Sequence, residues 1–122
     1  MCGINGFFNY SNASISGGEE LIRKMNSEME NRGPDDSGVW SNEKKTIFLG
    51  HQRLSILDLS RAGHQPMHSS KATNTIVFNG EIYNYQELKK QLTGIDFQSN
   101  TDTEVLLELY AQEKDSFLSD LK

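Results

Sequence analysis

Val39-Trp40-Ser41-Asn42-Glu43-Lys44-Lys45-Thr46-Ile47-Phe48-Leu49 carries two apolar runs on either side of a polar stretch, Ser41 to Lys45. Aromatic and β-branched runs separated by a short turn-rich segment read as a β-hairpin. A hairpin makes its strands antiparallel neighbours, so this stretch points away from a βαβ sheet. Upstream, Cys2 to Phe8 reads as a strand with Ile4 and Phe8 on one face, followed by a turn at Asn9 to Asn12. Gly18 to Asn31 reads as a helix, with Leu21, Ile22, Met25 and Met29 on one side. Asn31 to Gly38 is a loop dense in turn residues.

Downstream, Ser55 to Ser70 forms a long connection containing Gly63 and Pro66, and loops of that length within a compact domain are often functional. Thr75 to Phe78 is a short β-branched strand that stops at Asn79-Gly80. Asn84 and Glu87 make a capping pair for a helix from Asn84 to Thr93 that Gly94 closes. Ile95 to Gln98 is compatible with a further strand. Thr101 and Glu104 make a second capping pair, opening a helix to about Glu113 whose expected buried side is Val105, Leu106, Leu109 and Tyr110. Strands and helices are mixed and joined by hairpin links, which predicts an α+β fold with antiparallel pairing.

The 122 residues fit one domain, 1–122, without internal repeats. Hydrophobic content is 35%, mean hydropathy −0.61 and net charge −5, with both signs interspersed. That balance argues against nucleic acid or an anionic membrane surface as the main partner. The single cysteine cannot close an internal disulfide, which points to a reducing, cytoplasmic setting. No apolar run approaches the roughly 20 residues of a membrane helix, and the start lacks the regions of a signal peptide. Asn9-Tyr10-Ser11 and Asn12-Ala13-Ser14 fit the glycosylation pattern, but that setting gives them no such role.

Cys2 stands directly behind the initiator methionine. Removal of Met1 would give one residue both a thiol and a free α-amine. The amine titrates at about 7.7–8.0, so it can act as a base beside the thiol. The ordinary alternative is a buried apolar cysteine in a first strand. A nucleophile needs donors for the oxyanion it creates, and Asn79-Gly80 supplies a side-chain amide and a close-approaching backbone N–H. The alternative there is a plain Asn-Gly turn. Arg53, near the end of a predicted strand, has the two-pronged geometry that holds a carboxylate. Glu81 and Asp102 are the acidic residues available for an ammonium group. Taken alone, Arg53 reads as an ion-pair former and Asp102 as a helix cap. His51, His64 and His68 do not make a metal ligand set. Asp35 and Asp36 read as turn residues before they read as a catalytic carboxylate pair.

Together these stretches resemble the class II glutamine amidotransferase domain, most closely the glutaminase domain of glutamine-hydrolysing asparagine synthetases. The matching segments are Met1 to Gly6, Asn31-Arg32-Gly33-Pro34-Asp35, Gly50 to Asp58, Gly63-His64-Gln65-Pro66-Met67, Phe78 to Tyr85 and Thr101-Asp102-Thr103-Glu104, in the family's order and across nearly the whole chain. The resemblance implies an N-terminal-nucleophile hydrolase fold, a four-layer αββα sandwich with antiparallel sheets. It also implies roles. Cys2 is the nucleophile and its α-amine the proton acceptor. Asn79 and Gly80 form the oxyanion hole, and Arg53 holds the α-carboxylate of glutamine. Glu81 and Asp102 hold its α-ammonium, and Leu54 and Ile56 line the pocket.

The family's glutaminase domain is longer than 122 residues, so this fold is expected to be incomplete at its C-terminal end, where Phe117, Leu118 and Leu121 lead into further core. The ATP-dependent synthetase domain, the part expected to need ATP and magnesium, is not in this sequence; the glutaminase part itself calls for no cofactor. Expected partners are glutamine, a synthetase domain or subunit, and a second copy of the chain, because unpaired strands and uncovered apolar surface favour association. Rival readings are an amidotransferase that passes ammonia to another acceptor such as a sugar, and an inactive glutamine-binding or assembly module.

Overall fold

A computed structural model describes residues 1–56 and 58–122; Leu57, within the Gly50 to Asp58 stretch, lies outside the described residues. The chain divides into two units, one formed by Met1–Ile56, His64–Pro66 and Val77–Asn79, the other by the remaining segments. The fold is α+β with antiparallel sheets.

In the first unit, β1 (Gly3–Phe8), α1 (Gly18–Ser27), β2 (Asp36–Ser41) and β3 (Ile47–Arg53) build a three-stranded sheet in the order β1-β3-β2 with α1 packed on it. The expected hairpin is β2–β3, with Trp40 opposite Leu49 and Ser41 opposite Phe48. Its turn is organised by Asn42, whose Oδ1 accepts the backbone N–H groups of Thr46 (2.8 Å) and Ile47 (3.0 Å), while Lys45 takes a left-handed φ of 53°. Phe48 is the centre of the packing. It stacks on Phe7 with centroids 4.8 Å apart, and its ring lies so close to Gly18 that a Cβ there would overlap it.

That crossing point corrects the expected face of α1. Gly18, Ile22 and Asn26, four residues apart, turn toward the sheet, and Leu21 is 49% exposed. The helix ends at Ser27, and Glu30–Arg32 forms a separate 3-10 turn, because the chain must bend to run the Gly33 backbone against β3. Ile4 and Phe8 do share a face of β1, and that face is exposed.

The second unit holds β4 (Met67–His68), paired antiparallel with β5 (Thr75–Ile76), then α2 (Tyr85–Gln91) and α3 (Asp102–Glu113). Its core is Ile82, Leu88, Leu92, Val105, Leu107, Leu109 and Phe117. Thr101 caps α3, accepting the Glu104 N–H on Oγ1 at 3.2 Å. The reciprocal half of that capping pair is missing, since the Glu104 carboxylate takes the N–H groups of Gln98 (2.8 Å) and Ser99 (2.7 Å) instead. This is also why Ile95 to Gln98 is not a strand: the Gln98 N–H goes to a side chain rather than to a neighbouring strand.

The Asn84–Glu87 cap does not form. The Asn84 side chain donates to the Asp120 carbonyl (2.7 Å) and accepts the Lys122 N–H (2.9 Å). α3 is buried on more than the one side expected: Leu107 and Glu108 are buried, while Tyr110 is exposed. Leu118 is exposed as well. No helix among the described residues is long and apolar enough to cross a membrane.

Candidate active site

β1 and β3 pair antiparallel, and their ladder ends at Gly3 opposite Gln52, so Cys2 and Arg53 are the next residues along the two chains. Across the other edge of β3, Arg53 pairs with Asp36. The half-buried Cys2 thiol meets the backbone one residue further on. The Leu54 N–H donates to Sγ at 3.3 Å, and the S–H faces the Leu54 carbonyl at 3.6 Å. Arg53 is only 6% exposed. The structure thus brings Cys2, Arg53 and Leu54 to one end of the three-stranded sheet. Ile56, two residues beyond, is 71% exposed.

The Arg32-Gly33-Pro34-Asp35 loop braces this end from outside the ladder. Arg32 Nε donates to the Cys2 carbonyl at 3.4 Å. A Cβ on Gly33 would sit 2.5 Å from the Gln52 carbonyl oxygen, so only glycine lets this backbone lie against β3. Gln52 Nε2 donates to the Gly33 carbonyl (3.1 Å), the Asp35 N–H donates to the Arg53 carbonyl (3.0 Å), and Asp35 Oδ2 accepts the Ser55 N–H (2.7 Å). Asp36 is engaged elsewhere, with His64 Nδ1 at 2.6 Å. The two aspartates therefore act as separate loop fasteners, not as a carboxylate pair.

Two groups buried in this unit were not legible as site residues. Asn26 lies under the sheet, donating from Nδ2 to Gly38 O (2.9 Å), His51 O (3.3 Å) and Ser37 Oγ (3.1 Å), and accepting from Asn5 Nδ2 at 2.6 Å. One side chain on α1 thus touches all three strands. His51 is fully buried, and its ring nitrogens have no hydrogen-bond partner among the described residues. Burial, reinforced by Arg53 and His64, pushes its pKa down to about 4; the Phe78 backbone and Asp36 oppose that shift without reversing it. At neutral pH the imidazole is uncharged.

Asn79 closes the first unit and is exposed; its carboxamide has no hydrogen-bond partner among the described residues. The preceding N–H, that of Phe78, is accepted by Gln65 Oε1 at 2.6 Å. That bond is why the expected strand Thr75 to Phe78 ends at Ile76: Phe78 pairs with a side chain. Gly80, Glu81 and Asp102 belong to the second unit. Gly80 and Glu81 are exposed, whereas Asp102 is buried. Asp102 is the first residue of α3 rather than its cap, and its Oδ2 accepts the Ile82 N–H at 2.9 Å. Among the described residues no group of three or more His, Cys, Asp or Glu is placed to hold a metal ion.

A cysteine just before β1, a buried arginine at the end of β3 and the Arg-Gly-Pro-Asp loop that braces them thus stand at the same end of the sheet. The chain belongs to the glutamine amidotransferase domain family, whose profile matches residues 1–122. Among curated proteins it is similar to glutamine-hydrolysing asparagine synthetase 1 of Bacillus subtilis, 42% identical over 125 residues covering all of this chain and 19% of that protein. It is likewise similar to the glutamine-hydrolysing asparagine synthetase B of Escherichia coli, 37% identical over 126 residues, all of this chain and 22% of the relative. The amidase chry2 of Gibberella zeae is 35% identical over 131 residues, covering 100% of this chain and 20% of the relative. The chain spans about a fifth of the length of these relatives.

Proposed function

We propose that this domain hydrolyses the side-chain amide of glutamine and that the ammonia released serves an asparagine synthetase, amidating aspartate at the expense of ATP in a synthetase domain that binds ATP and magnesium. The observation that carries the reading is the seat of the Cys2 sulfur on the Leu54 backbone, one residue past a buried arginine at the end of β3.

With Met1 removed, the α-amine of Cys2 takes the thiol proton. The sulfur attacks the amide carbon of glutamine, an S–C bond forms, and the carbonyl π electrons move to oxygen. The Asn79 carboxamide and the Gly80 N–H meet that oxyanion; loss of one such donor typically costs about 3–4 kcal/mol in the barrier. The C–N bond then breaks as the amine returns the proton and ammonia leaves. Water attacks the thioester, releasing glutamate and restoring the thiol. Arg53 holds the α-carboxylate of the substrate, Glu81 and Asp102 its α-ammonium, and Leu54 and Ile56 border the cleft. The fold that suits these roles is the four-layer sandwich of N-terminal-nucleophile hydrolases, and the α1-covered antiparallel sheet supports one helix–sheet half of it.

Glutamate release by the wild-type protein and by Cys2→Ala, measured side by side with intact mass for loss of Met1, tests the reading. The expected outcome is wild-type turnover from protein lacking Met1 and a fall of about a thousandfold or more in Cys2→Ala. Undiminished hydrolysis by Cys2→Ala would refute it.

A further inference from the structure

The Gly63-His64-Gln65-Pro66-Met67 stretch has no part in the chemistry above, yet it reaches the segment that carries Asn79. Gln65 is 6% exposed, and its Oε1 accepts the Phe78 N–H. The loop that bears Gln65 is itself fastened to β2 at two points. His64 pairs with Asp36, and the Gln65 carbonyl oxygen lies so close over Gly38 that any Cβ there would overlap it. A line of contacts therefore runs from the β2 backbone through the main chain of Gln65, out along its side chain, and into the peptide immediately before Asn79. Among the described residues the Asn79 carboxamide has no hydrogen-bond partner, so the fold holds this segment through its backbone, at the Phe78 N–H.

We infer that Gln65 is a positioning residue for glutamine hydrolysis, fixing the Phe78–Asn79 peptide so that the Asn79 carboxamide meets the developing oxyanion. The inference rests on the roles proposed above for Cys2 and Asn79. A misplacement of about 1 Å in a catalytic group can cost on the order of a hundredfold in rate. Oxyanion contacts act in the transition state and not on bound substrate, so the loss belongs in kcat.

Three variants of the whole protein make the test. Gln65→Met keeps the side-chain length and removes the acceptor. Gln65→Glu keeps an acceptor at the same place. Asn79→Ala removes the donor. Gln65→Met is expected to lower kcat about ten- to a hundredfold, leave KM for glutamine within about twofold, and speed hydrogen exchange at the Phe78 amide. Gln65→Glu is expected to hold kcat within about fivefold of wild type. Added to Asn79→Ala, Gln65→Met is expected to change kcat by less than about twofold, since both act through one contact.

Unchanged kcat in Gln65→Met, a loss carried by KM, or full additivity with Asn79→Ala would overturn the inference. Should Gln65→Met fail to fold, Gln65→Asn, which draws the acceptor back by one methylene, is held to the same outcomes. The two levels separate cleanly. Wild-type turnover in Cys2→Ala overturns the nucleophile assignment. Wild-type Phe78 exchange in Gln65→Met overturns the role of Gln65, whatever Cys2→Ala does.

Discussion

The β1–β3–β2 unit and the α3 unit fix their irregular segments by different chemistry. Around the sheet the fasteners are mostly neutral amides and backbone ladders: Asn26 under three strands, Gln52 on Gly33, Gln65 on Phe78 and Asn42 in the hairpin turn. Around α3 they are carboxylates. Asp102 takes the Ile82 N–H, Glu104 takes Gln98 and Ser99, and Glu108 takes both the N–H and the hydroxyl of Ser70. The difference teaches where chemistry has room. Beneath the strands the anchors are uncharged, and the charged fasteners, Arg32, Asp35 and the Asp36–His64 pair, stand at the end of the sheet that carries Cys2 and Arg53. On α3 the acidic groups are already committed to the backbone: Asp102, Glu104 and Glu108 each accept at least one N–H.

The comparison breaks most readily at Glu104. Glu104→Ala leaves the Gln98 and Ser99 N–H groups and the Ser99 hydroxyl without their acceptor, and is expected to cost about 3 kcal/mol or more. Urea unfolding that gives under 1 kcal/mol would show that these carboxylates do not hold the loop.

His51 sharpens the sheet side of the comparison through pH. Its folded pKa lies below the usual value of 6.5, at about 4, so between those limits the unfolded chain binds more protons than the folded one. Its contribution is complete above about pH 6.5 and is lost as pH falls toward 4, by on the order of 3 kcal/mol across the window. His51→Phe removes that slope. Unfolding free energies of wild type and variant that run parallel from pH 7 to 4 would contradict the assignment.

Asn26→Ala is expected to cost about 2–3 kcal/mol, since it strands Asn5 and the carbonyls of Gly38 and His51 together. A cost below 0.5 kcal/mol in the same assay, roughly that of a neutral surface change, would remove it as the tie between strands. Thr101→Ala, which loses a single cap, is expected to cost about 1 kcal/mol. A larger loss than in Glu104→Ala would reverse the order of importance on the α3 side.

Much of this design could be read from the residues alone. Apolar alternation and turn chemistry disclosed the Val39–Leu49 hairpin, and the Thr101-x-x-Glu104 spacing disclosed the start of α3, because both signals are local. Periodicity misjudged α1 for a physical reason. Leu21 is apolar but points to solvent, while Asn26 is polar and sits against the sheet with its hydrogen bonds satisfied. Hydrophobic patterning cannot see a buried amide whose partners are distant in sequence. Asn84 failed as a cap for a related reason, since Asp120 and Lys122 compete for its side chain. Of the candidate site, Cys2, Arg53 and Asn79 could be picked out as residue types, and the structure brings the first two to one end of the sheet. The Leu54 seat, the bracing by Arg32 and the Gln65–Phe78 bond could not, because each depends on strand register or on a contact across many residues.

Leu54 offers its N–H and its carbonyl to the same sulfur, so whichever way the proton has gone there is a partner of matching polarity already in place. In the mechanism proposed above the sulfur gives up and regains a proton in every turnover, and a peptide that presents both polarities would serve each form without having to turn.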